Sequence, residues 1–365
     1  MSKKESLTFS DIEQSLRLNP ALKDPMDQRD YSFIETANNV VGAIDLPKMY
    51  SLRAKCSPVK NQGSRGTCVG FGSTGVSEFF NRAEMDDKFL NLSEEFLFRK
   101  IKDIDIKDYN YSGYGAYIRS GAKALRGFGT CPESRLPYNF YGSEDSWKNV
   151  EITPVMEAEA KPFRVKNYFS VACNKEEIKK ALVVSKGPLI AAFSLYESYR
   201  QAKKNGGFIL VPKAKEKKIG GHCMEIVGYN DKYMELKNSW GSAWGNNGYI
   251  WWPWEALDKV SSIWSFIDLE NPEMQKHFIA LQKGQTKFSF KKILKKIWKS
   301  KRIRSLIWRA AMMFLGIVTA IAANMLLDLQ IERSSWKASL VLFWGLVLGE
   351  VSKAINNKYQ GKDTI

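Results

Sequence analysis

A chain of 365 residues with 44% hydrophobic and 13% aromatic content is long enough to bury one large core and still carry an appendage. Five cysteines, an odd and sparse set, exclude a disulfide scaffold and suit a reducing compartment. The formal net charge of +16 is concentrated in one stretch near the C-terminus, so it describes that stretch and not the chain as a whole.

Residues 1–45 read as an N-terminal extension. The opening Met1-Ser2-Lys3-Lys4-Glu5-Ser6 is polar and no apolar core follows it, so a cleavable secretory signal is not expected. A short helix is expected near Ser10 to Leu18, then Pro20, Pro25 and an extended run to Leu46-Pro47.

The next informative stretch is Gln62-Gly63-Ser64-Arg65-Gly66-Thr67-Cys68-Val69-Gly70-Phe71. Glycines 63 and 66 allow a tight loop, and Val69, Val76, Phe79, Phe80 and Ala83 recur at roughly helical spacing from Thr67 onward. Cys68 therefore stands at a helix N-terminus, where the macrodipole and unpaired N–H groups push a thiol toward thiolate. Gln62 offers a side-chain N–H to an oxygen held beside that sulfur, which gives a nucleophile and an oxyanion donor together. A cysteine here is equally readable as a small buried hydrophobe, and only the segments downstream separate the two.

Farther on, Ser93 is placed to cap a helix with acids in its first turn. Tyr111-Ser112-Gly113-Tyr114-Gly115 is a glycine-interrupted turn, and a helical run through Ile118, Ala122 and Leu125 ends at Gly127. Asn174 caps a helix that stops at Gly187-Pro188, and Leu189 to Phe193 is a short apolar strand. Lys213 to Lys218 reads as a solvated loop.

Two β-favouring runs, Gly220 to Tyr229 and Tyr233 to Gly241, flank Asn230-Asp231-Lys232 and form a hairpin. His222 opens the first strand and Asn238 closes the second, so the asparagine can orient the imidazole. The only other histidine, His277, lies in a lysine-rich stretch, which leaves His222 as the base for the Cys68 thiol. Glu225, a charge inside the strand, is either paired or shapes a pocket.

In their chain order, Gln62 with Cys68, His222 in Gly-His-Cys-Met-Glu-Ile-Val-Gly-Tyr, and Lys237-Asn238-Ser239-Trp240-Gly241-Ser242-Ala243-Trp244-Gly245-Asn246-Asn247-Gly248-Tyr249-Ile250 resemble the papain-type cysteine peptidases. The resemblance spans roughly residues 46 to 270. It implies an α+β fold of two lobes, helical over about 48–140 and β-barrel-like from 141, with the active site between them. It also implies roles: Gln62 as oxyanion glutamine, Cys68 as nucleophile, His222 as base and acid, Asn238 as orienter, Trp240 covering the His–Asn bond and Trp244 on the leaving-group side. A cleft glycine that binds extended substrate through its backbone maps to Gly113 or Gly115, an ordinary turn being the other reading. Residues 1–45 would be either an extension packed on the domain or a vestigial pro-region. Arg65 stands where secreted members have a cysteine, which removes a disulfide, and Val69 stands in place of an aromatic.

The organisation expected is an extension at 1–45, a peptidase domain at 46–272, a basic juxtamembrane segment at 273–309, a transmembrane helical hairpin at 310–355 and a tail at 356–365. Between Lys276 and Arg309 there are twelve lysines and arginines and no acid, interleaved with Phe288, Phe290, Ile293, Leu294, Ile297 and Trp298 at helical spacing. Nucleic-acid binding competes for such a stretch, but 18 uncharged residues follow, Ala310 to Leu327, so anionic membrane lipids are the expected partner and nucleic acid is not. The second apolar run, Ala338 to Leu348, is short, so a single span with an interfacial helix is the alternative to the hairpin. Placing the bases on the inner face leaves the catalytic domain cytoplasmic. The reading is a membrane-anchored thiol endopeptidase acting on protein or peptide substrate, with no metal and no organic cofactor. Its alternatives are a papain-fold binding module and a thiol acyltransferase or transpeptidase.

Overall fold

The computed structural model describes Leu16 and residues 20–35, 45–84 and 88–268. The expected helix near Ser10 to Leu18 falls outside them except for Leu16, and the basic segment, the apolar hairpin and the tail fall outside them altogether. Among the described residues no helix is long and apolar enough to cross a membrane.

Strand β1 (Ala21–Leu22) belongs to the N-terminal segment, and β2 (Tyr50–Ser51) begins the main body. Helix α1 (Cys68–Glu84) follows the loop from Gln62 to Thr67, and α2 (Glu94–Tyr109) starts after Ser93, whose Oγ accepts from Phe96 N at 3.1 Å. β3 (Ala116–Tyr117) runs directly into α3 (Ile118–Gly127). These helices make the first lobe.

α4 (Pro154–Ala160) begins at the Thr153 cap and packs through Ala160 on Phe96 of α2; the second lobe comprises β4 (Asn167–Val171), α5 (Lys175–Ser185) capped by Asn174, β5 (Leu189–Tyr196), β6 (Lys218–Tyr229), β7 (Tyr233–Lys237), β8 (Tyr249–Pro253) and β9 (Val260–Ile267). The sheet order is β4-β9-β5-β6-β7-β8, with β2 added on β6 and every pairing antiparallel. The β6–β7 turn closes as an Asx turn, in which Asn230 Oδ1 accepts from Lys232 N and Tyr233 N at 2.9 and 2.8 Å. Its first strand is longer than the sequence pattern indicates. β6 begins at Lys218, so His222 lies inside the strand opposite Phe193 and does not open it.

The two lobes meet along α1, which packs on both α2 and β6. Its small residues allow that approach: a Cβ on Gly72 would stand 3.0 Å from Cys223 Sγ, and one on Gly75 would stand 2.2 Å from the Glu225 carboxylate. Charges cross the same seam. Lys60 Nζ reaches Glu78 and Glu94 at 2.6 Å each, and Lys237 Nζ reaches Glu225 Oε1 and Ser57 Oγ at 3.0 Å. Glu225 is thus paired as well as buried.

Candidate active site

Cys68 is the first residue of α1, and its Sγ accepts from the Cys223 backbone N–H at 3.3 Å. One position earlier on β6, His222 Nε2 is 2.7 Å from Asn238 Oδ1. Asn238 follows the last residue of β7 and is fixed by Asn238 N donating to Gly248 O and Ser239 N donating to Asn238 Oδ1. An Oδ1 that already accepts must receive Nε2–H, which leaves His222 Nδ1 as the lone-pair nitrogen. Nδ1 has no hydrogen-bond partner among the described residues. Trp240 stacks on the imidazole with centroids 4.5 Å apart, and Trp244 packs edge-on against Trp240 at 5.1 Å. Trp240 thereby keeps water from the His–Asn bond, while Trp244 lies one layer farther out and also meets Tyr199.

Gln62 is held from three sides. Its Oε1 accepts from Ser239 Oγ at 2.5 Å, one Nε2 hydrogen goes to Arg65 O at 2.8 Å, and its backbone carbonyl accepts from Tyr138 OH at 2.8 Å. A primary amide has two N–H donors, so the second remains for an oxyanion.

Arg65 forms a bidentate pair with Glu95 at 2.6 and 2.9 Å, donates to Asn139 O, and lies over the Tyr138 ring. An ion pair buried on both sides thus ties the loop before Cys68 to α2.

The N-terminal segment fills the cleft. β1 pairs in parallel with β3, Ala116 N donates to Pro20 O at 3.0 Å, and a Cβ on Gly220 would meet Leu16 O at 2.2 Å. Asp24 bridges the lobes: its carboxylate accepts from Arg119 N at 2.9 Å on one side and from Trp264 Nε1 at 2.8 Å on the other, where its own backbone N–H donates to Ser262 Oγ at 2.7 Å. Cys68, His222 and Gln62 are consequently fully buried. The helix N-terminus alone would lower the Cys68 pKa. Burial outweighs it and pushes the thiol up to about 12, while the same burial draws His222 down to about 4 against the Asn238 bond. In this closed state the pair is thiol and neutral imidazole.

Of the expected substrate-contacting residues, Trp240 lies against the His222 ring, and Trp244 lies behind Trp240. Gly113 does not face the cleft with its carbonyl, which accepts from Lys102 Nζ at 2.8 Å, and the residue that pairs with the extended chain is Ala116. Cys223, Ser239, Tyr138 and Lys102 escaped sequence reasoning. Each acts through a backbone group or a partner distant in sequence, and only the Asn238-Ser239-Trp240 adjacency gave any signal.

A family model described as papain family cysteine protease matches residues 46–256. An uncharacterized peptidase C1-like protein of Acanthamoeba polyphaga mimivirus is 30% identical over 247 residues, 63% of this chain and 76% of that protein. Cathepsin K of Mus musculus is 26% identical over 204 residues, of which the chain covers 57% of the relative's length. Among solved structures, xylellain, a cysteine protease from Xylella fastidiosa, superposes with a TM-score of 0.58 at 22% identity, covering 74% of this chain and all of that one.

Proposed function

The chain belongs to the papain family of cysteine proteases, and from that premise we propose a thiol endopeptidase that works through Cys68, His222, Asn238 and Gln62 and is held at a membrane by its C-terminal residues. The observation that carries the chemistry is the 2.7 Å His222–Asn238 bond, which leaves Nδ1 as acceptor next to the strand position whose N–H holds the Cys68 sulfur. In the reaction His222 Nδ1 takes the Cys68 proton and the sulfur attacks the peptide carbonyl carbon. The oxyanion rests on the spare Gln62 N–H and the Cys68 backbone N–H. As the C–N bond breaks, His222 returns the proton to the leaving amine. Water then attacks the acyl-enzyme with His222 again as base, and the thiol is released. Substrate enters only when Leu16, Pro20, Ala21 and Leu22 leave the cleft.

Membrane attachment is supported by the acid-free basic run from Lys276 to Arg309 and the uncharged run from Ala310 to Leu327. A binding module without turnover is the second reading, and the filled cleft is what favours it. Mass spectrometry after a vinyl-sulfone probe separates the two. The peptidase labels at Cys68 when native, faster when Asp24→Ala loosens the N-terminal segment, and not after heat denaturation. Absence of native labelling in both forms would leave the binding module.

A further inference from the structure

We propose that Lys102 is a positioning residue for main-chain recognition of substrate: its ammonium grips the Gly115 carbonyl so that the N–H at the other end of the same peptide group, on Ala116, is presented to the extended chain in the cleft. The inference rests on the peptidase reading of that cleft. Lys102 Nζ donates to Gly113 O and Gly115 O at 2.8 Å each, and the residue is wholly buried. The Gly115–Ala116 peptide is trans, so its carbonyl and its N–H point in opposite directions. The carbonyl points inward to Lys102 and the N–H outward to Pro20 O at 3.0 Å. Gly115 itself, at φ +69, lies so close to the passing chain that a Cβ would stand 2.4 Å from Pro20 backbone atoms. Room from Gly115, a donor from Ala116 and a grip from Lys102 thus converge on one extended strand.

The charge needs a reason to be there. A lysine is rarely buried completely, and a long hydrophobe in its place would avoid the desolvation cost. Its carboxylate partner Asp105 stands at 3.5 Å, at the limit of a hydrogen bond, whereas the two short bonds go to carbonyls. A cation on the carbonyl oxygen polarises the peptide group and makes its N–H a stronger and better-aimed donor.

The test uses the full chain with Lys102→Gln, which keeps a donor and loses the charge, and Lys102→Arg, which keeps both. The substrates are a peptide long enough to reach Ala116, a shorter one that stops before it, and a trans-alkene isostere of the long peptide that lacks the accepting carbonyl. The isostere is expected to raise KM about tenfold in the native chain and in Lys102→Arg but only about twofold in Lys102→Gln, because the bond it deletes is already weakened. Lys102→Gln is also expected to raise KM for the long peptide while leaving kcat and the short peptide within about twofold. An isostere penalty unchanged in Lys102→Gln, or equal losses on long and short peptides, would overturn the proposal and reduce Lys102 to a loop brace. Amide exchange at Ala116 decides the matter even in a chain that turns over no peptide. There the peptidase reading fails while faster exchange in Lys102→Gln sustains the inference and unchanged protection overturns it.

Discussion

At Cys68 a helix terminus and complete burial act in opposite senses, and burial prevails as long as the cleft is filled. In the proposed mechanism nucleophile and base act as a unit, so Cys68→Ala and His222→Ala are each expected to abolish turnover. Asn238→Ala, which removes orientation alone, should be on the order of a hundredfold less severe in kcat. Equal small losses at all three would refute the assignment. His222 also makes a pH prediction. Its folded pKa of about 4 lies below the 6.5 of an exposed histidine, so between those values the unfolded chain binds the extra proton. Stability from this group is therefore present above pH 6.5 and lost as pH falls toward 4, by on the order of 3 kcal/mol. Urea midpoints between pH 7 and 4 should drop less steeply for His222→Gln than for the native chain. Parallel slopes would show that the ring is not buried neutral.

Short elements hold the site in place. The loop from Gln62 to Thr67 has little regular structure, yet the Arg65–Glu95 pair and the Tyr138 hydroxyl tie it to α2 and to the segment after α3. Removing one partner of a buried pair strands the other, so Arg65→Ala should cost ~3–5 kcal/mol in a urea melt, whereas exposed Arg29→Ala, at the Asp27 surface pair, should leave the midpoint nearly unchanged. β1 is held across both lobes by Asp24. Asp24→Ala removes the acceptors of two donors, Arg119 N and Trp264 Nε1, and should speed alkylation of Cys68 at least about tenfold by populating the open cleft. An unchanged alkylation rate would mean that some other element closes the site.

For the molecule as a whole, the proposed membrane attachment rests on the basic run up to Arg309 and the uncharged run after it. Each base near an anionic leaflet contributes on the order of 1 kcal/mol. Full-length protein should therefore remain with membranes through high salt and alkaline washing, while a chain ending near Asn271 should be soluble and still label at Cys68. Extraction of the full-length protein by salt alone would reduce the attachment to surface electrostatics.

Sequence alone determined whatever depends on neighbours along the chain. The caps at Ser93 and Asn174 and the Asn230 turn follow from side chains that bond the backbone within three residues, and the start of a helix near Cys68 follows from the apolar spacing after Thr67. Chain order likewise singled out Cys68, His222 and Asn238, because so few histidines and cysteines compete for the roles. Tertiary structure decided what depends on long-range contact: the pairing of Arg65 with Glu95 thirty positions away, the bridge from Asp24 to Trp264, and the orientation of the Gly115–Ala116 peptide toward Lys102. The burial that reverses the expected ionisation of Cys68 belongs to the same class. A charge's partner and a thiol's solvent are set by which surfaces meet, and the local pattern around Cys68 carries no record that Leu16 and Pro20 lie over the cleft.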